Sequence, residues 1–176
     1  MAQNFWRQPA ADPKRQFRWI VEISNDRNEF ITLAAKEVAK PNFEITSTPH
    51  KFINHTFNFP GRLEWKPVSL KIVDIGADPD GVVDQLQTFL TNSGYVLPVG
   101  NSDENCKKGI SKGEAVGALG TFKISQLDHD GNVIETWKLF NGWISKIDYG
   151  ALSYANDDFV EISMEVVYDF AEVSND

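Results

Sequence analysis

The sequence predicts a mainly β protein: an antiparallel β-sandwich or barrel with one α-helix. Three observations predict it. Apolar residues recur at every second position through several runs, the spacing that turns one face of a strand into a core. Asp130-Gly131 sits between two such runs, where a tight hairpin needs residues that accept positive φ. One stretch, 78–92, instead spaces its apolar residues as a helix does.

In chain order, Phe17, Trp19, Val21 and Ile23 alternate with Arg18, Ile20 and Glu22, giving a strand with one buried face. Shorter strands are expected around Phe30 to Leu33, Asn42 to Ile45 and Phe52 to Phe57. Val68, Leu70 and Ile72 repeat the alternation. In the helix Asp78 suits the cap, Pro79 the first position, and Asp80 and Asp84 the positive end of the dipole. Val82, Leu86, Phe89 and Leu90 form its apolar stripe and Gly94 its stop, so it covers one sheet.

From 94 to 120 the pattern fades into a long loop with six of the twelve glycines and the cluster Lys107, Lys108 and Lys112. Runs from Thr121 to Asp128 and from Val133 to Phe140 then flank the hairpin tip, and Trp143 to Tyr149 continues the sheet after Gly142. The longest alternation closes the chain. Val160, Ile162, Met164, Val166, Tyr168 and Phe170 share one face; Phe159, Glu161, Ser163, Glu165, Val167 and Asp169 share the other. The expected organisation is a single domain over 1–176, with an N-terminal arm (1–14), a core (15–170) and a short tail (171–176).

The chain has 176 residues, 41% of them hydrophobic and 24% charged, a globular balance. No apolar run approaches the ~20 residues of a membrane helix, and Met1 to Lys14 lacks the apolar stretch of a secretory leader. One cysteine, Cys106, allows no internal disulfide and suits a reducing cytosol. A net charge of -8 argues against gripping nucleic acid, which takes a basic stripe.

Sites for chemistry are expected to be missing. Cys106 has no histidine close in sequence to activate it, and no nucleophile elbow or phosphate loop occurs. His50 and His55, read as lying on one strand, fall on opposite faces and make no metal site. Aligning Gly81 with the glycine of a calcium loop puts Gly76 and Gln87 where carboxylates belong. Asp128-His129-Asp130-Gly131 reads as a turn. The expectation is no catalytic residue, no cofactor and no metal.

Several segments resemble one family. Phe17 to Ile23, Pro41-Asn42-Phe43, Phe52-Ile53-Asn54 and Pro60-Gly61 are similar to the opening half of T-even-like tail tube proteins. Trp65 with Val68 to Asp74 is similar to that family's strand before its helix. Gly142-Trp143, Leu152, Asn156-Asp157 and Ile162 to Asp169 extend the likeness, which runs from about Phe17 to Phe170. The resemblance implies a β-sandwich subunit of the inner tube of a contractile bacteriophage tail. Such subunits form hexameric rings that stack into a tube inside a sheath, and the tube passes DNA. It also implies the partners: further copies of itself, sheath, tape measure, baseplate and tail-terminator proteins, with DNA passing unbound. The protein would be made in the host cytoplasm and end in the virion tail. Its polar N-terminal extension and glycine-rich middle loop depart from the family. They leave room for a baseplate or terminal protein, and the same fold serves secretion and injection devices. A small β-barrel ligand-binding module is the alternative from another class.

Within that frame Glu161, Glu165 and Asp169 are candidates to line the lumen, where an acidic wall repels phosphates. Lys107, Lys108 and Lys112 are candidates to join stacked rings by attraction to carboxylates on the next ring.

Overall fold

In a computed structural model, which describes residues 13–25, 28–29, 35–76, 81–97, 107–155 and 157–175, two antiparallel sheets pack face to face. The strands are β1 (Trp19–Asn25), β2 (Asn28–Glu29), β3 (Ala35–Val38), β4 (Asn42–Phe52), β5 (His55–Lys66), β6 (Val68–Val73), β7 (Thr121–Leu127), β8 (Val133–Phe140), β9 (Trp143–Asp148), β10 (Glu161–Val167) and β11 (Phe170–Ser174). One sheet has the order β11-β8-β7-β1-β2, the other β3-β6-β10-β9, and β4 pairs with β5 alone as a long ribbon.

The alternation of the sequence fills the space between the sheets. Val21, Ile23, Phe122, Ile124 and Leu139 point in from the first sheet. Val68, Leu70, Ile72, Ile162, Met164 and Val166 point in from the second, and all six are almost fully buried. Val82, Leu86 and Phe89 of helix α1 (Val82–Asn92) join the same core. The fold class expected from periodicity is the one observed.

Trp143–Asp148 is a strand as expected, but it belongs to the second sheet and does not continue the one that holds β8. Four further local expectations are corrected. A second helix, α2 (Lys112–Leu119), lies in the stretch expected to be all loop. Ser111 caps it: its hydroxyl accepts from the Glu114 amide and donates to the Glu114 carboxylate, while Gly120 ends the helix at φ 72°. Secondly, the closing alternation is not one strand. It breaks after Val167, and the chain crosses from the second sheet to the first, so Phe170 is exposed beside Phe140 on β8 rather than buried with Ile162. Thirdly, the short strands foreseen near Asn42 and Phe52 are parts of the single ribbon β4–β5. Finally, α1 begins at Val82 with Gly81 at its cap position; the expected caps Asp78, Pro79 and Asp80 lie outside the described residues, as do Cys106 and the strand expected from Phe30 to Leu33. The stop at Gly94 is observed, with φ 98°.

Candidate functional site

The ribbon is the feature the core does not explain. Every residue from Asn42 to Glu64 is exposed, including Phe43, Ile45, Phe52, Ile53, Phe57, Phe59 and Leu63. An exposed apolar ribbon of this length calls for a covering surface.

Residues paired across an antiparallel ladder share a face. At the root, Phe43 opposes Trp65 and Ile45 opposes Leu63; the Trp65 ring lies tilted against Tyr168 with centroids 5.8 Å apart, tying this face to the core. The other root face is charged: Asn42 opposes Lys66, Glu44 opposes Glu64, and Lys66 bonds Glu44 at 2.9 Å. Between Ile45 and Ser47 the register shifts by one residue, with the extra residue on β5. Beyond the bulge Thr48 opposes Phe59, His50 opposes Phe57 and Phe52 opposes His55. The even-numbered face of β4, charged at the root, therefore becomes aromatic towards the tip. The odd face becomes polar, with Ser47, Pro49 and Lys51 opposite Pro60, Asn58 and Thr56. Gly61 makes this switch possible. A Cβ there would collide with the Thr46 hydroxyl and lie 3.0 Å from the Thr46 carbonyl oxygen, and Thr46 Oγ1 instead accepts from the Arg62 amide at 2.9 Å.

This geometry corrects the placement of the histidines. His50 and His55 stand on two strands of one hairpin, so both share the aromatic face rather than opposite ones. They form no three-donor cluster. Among the described residues that grouping occurs at Asp128, His129 and Asp130, on an exposed turn. There Asp128 accepts from the Asp130 and Asn132 amides at 2.8 Å each, which accounts for the arrangement as the predicted hairpin tip.

The sequence-predicted acids are divided by the fold. Glu161 and Glu165 lie on the outward face of β10, since their neighbours Ile162, Met164 and Val166 point inward. They share that face with lysines. Glu161 bonds Lys36, Glu165 stands opposite Lys146 on β9, and between them Ser163 stands opposite Lys71, which pairs with Glu37 at 2.8 Å. Hydrogen bonding from Lys36 holds the Glu161 carboxyl below its usual range. Asp169 is elsewhere, in the crossover between sheets. It accepts from Lys112 at 2.7 and 2.8 Å and from Asn141 at 2.8 Å, and these bonds hold its carboxyl low. A residue expected in the lumen and one expected at the ring joint thus bond each other within one chain. Lys107 and Lys108 are exposed ahead of α2.

Sequence reasoning missed two features. Glu135, on β8, accepts from Lys14, from Lys40 at 2.6 Å and from Trp137 Nε1 at 2.6 Å, and is held down to about 2, chiefly by Lys14. A lone Glu in an alternating run gives no sign of partners so distant in sequence. The other is a cavity of about 370 Å³ between α1, α2 and β9, bordered by Leu90, Ile110, Leu119, Trp143 and Ile147. It exists because α2 does.

No family profile matches the sequence, and no curated protein does. Solved structures do match, over nearly the whole chain. The anti-feeding prophage baseplate gives a TM-score of 0.67 at 12% identity, covering 94% of this chain and 97% of that one. The fold is that of contractile injection system components. A structure of the anti-feeding prophage cap, which terminates its tube, scores 0.65 at 11% identity over 100% of both chains. One of the sheath/tube terminator of the PVC extracellular contractile injection system scores 0.64 at 11%, covering 94% and 99%. Among the described residues no helix is long and apolar enough to cross a membrane.

Proposed function

We propose that the protein is a non-enzymatic building block of the tube of a contractile particle, self-associating in rings that stack around a channel. The observation that carries this reading is the likeness of fold, over 94–100% of the chain, to components of contractile injection systems. The exposed β4–β5 ribbon supports it, because a ribbon whose residues from Asn42 to Glu64 are all exposed in the single subunit suits a contact between subunits. In its finer form the proposal is a subunit of the inner tail tube of a contractile phage. Its rings are hexameric, its partners are sheath, tape measure, baseplate and terminator proteins, and its destination is the virion tail. A cap or baseplate role in an injection device is the second reading, favoured by what the matching structures depict.

We further propose that the outward face of the β3-β6-β10-β9 sheet lines the channel, with Glu161 and Glu165 on it. There the lysines at 36, 71 and 146 stand among the carboxylates, so the wall is mixed in charge rather than purely acidic. Lys107 and Lys108 remain at the joint between rings, whereas Lys112 and Asp169 fasten α2 to the sheet crossover. The test is molar mass in solution across a concentration series. Growth from monomer to a closed ring mass is expected; a single monomer mass up to the highest soluble concentration overturns self-assembly.

A further inference from the structure

We infer that the tip half of the ribbon docks on the β9–β10 loop of a second copy, joining molecules head to tail. The inference rests on the self-assembly reading and names the two surfaces that meet.

The first surface is residues 46–63. This segment holds Lys51 and Arg62 and no carboxylate, although the chain as a whole carries -8. Its apolar groups are Phe52, Phe57 and Phe59 on the aromatic face and Ile53, 85% exposed, at the turn. The second surface is residues 149–155 and 157–160, between β9 and β10. It holds Asp157 and Asp158 and neither lysine nor arginine. Its apolar groups stand out as far: Leu152 is 86% exposed, Phe159 83%, and Tyr154 fully. One chain therefore carries two exposed apolar segments of opposite charge.

Register places the root of the ribbon and the loop at opposite ends of one sheet. The ribbon joins β6 at Val68, which opposes Val166 of β10. The loop enters β10 at Glu161, which opposes Val73 at the far end of β6. The separation along the strands is roughly 17 Å. Two different, complementary patches on one molecule make a heterologous contact, which repeats from copy to copy in a ring or along a stack instead of closing in a pair. The bulge at Gly61 presents the aromatics of the ribbon on the face that its own core does not use. Apolar burial supplies the attraction, while the charges set which ends meet and make the contact sensitive to salt.

Charge exchange tests this in the full-length protein. K51E/R62E makes both surfaces acidic, and D157K/D158K makes both basic; all four side chains are exposed, so far-UV circular dichroism and melting should match the native protein. Sedimentation should show each variant alone associating at least about tenfold more weakly than the native protein. An equimolar mixture should recover association, because each variant then meets its complement. If both variants assemble like the native protein, the docking assignment is wrong while the self-assembly reading stands. If the native protein itself never associates, the self-assembly reading fails and takes the contact with it. A short single-stranded DNA probe is the remaining arm. Binding that K51E/R62E abolishes without affecting self-association would assign the ribbon to nucleic acid and overturn the inference.

Discussion

Glu135 draws the segment before β1 and the β3–β4 connection onto the first sheet through Lys14 and Lys40. Its carboxyl titrates near 2 in the folded protein against an ordinary 4.5. A depressed carboxylate stabilises the fold fully above the unfolded value, and that contribution drains away as pH falls from about 4.5 towards 2. Glu135→Gln should therefore lower stability at pH 7 by about 1–3 kcal/mol and flatten the acid limb of stability against pH, measured by urea unfolding. An unchanged acid limb would mean that the lysines do not hold this carboxylate in solution. Lys112 offers a contrast with its two neighbours in the basic cluster. Lys112→Glu should cost up to ~1 kcal/mol through loss of the exposed bond to Asp169, while the same change at Lys107 or Lys108 should leave melting unchanged.

At the scale of elements, the sheets were legible because each buried strand writes its own period, as Val68-Leu70-Ile72 and Ile162-Met164-Val166 do. What was not legible has physical causes. Helix α2 was masked by Gly113 and Gly117, which depress helix propensity, although Ser111 and Glu114 are spaced as a capping box. Ser111→Ala should cost about 1 kcal/mol and speed amide exchange in 112–119 more than in β7. The crossover at Tyr168-Asp169 was hidden because alternation persists through it while the strand changes sheet. The face switch in the ribbon depends on a one-residue bulge that no periodicity reports. Gly61→Val should leave the melting of the core near native, since the ribbon lies outside it, yet disturb assembly by shifting the bulge. Leu70→Ala gives the opposite pattern, losing about 2–5 kcal/mol of stability from the centre of the core.

At the scale of the molecule, the candidate site was only partly visible in advance. Glu161 and Glu165 do stand on one outward face, but the lysines interleaved with them come from β3, β6 and β9, and only the strand order brings these together. The two surfaces proposed to dock were likewise written as unremarkable loop and strand residues until their exposure appeared. The central claim concerns assembly, and negative-stain electron microscopy of the concentrated, purified protein tests it most directly. The account predicts rings or short tubes with a central channel; separate compact particles without a channel at every concentration would contradict it.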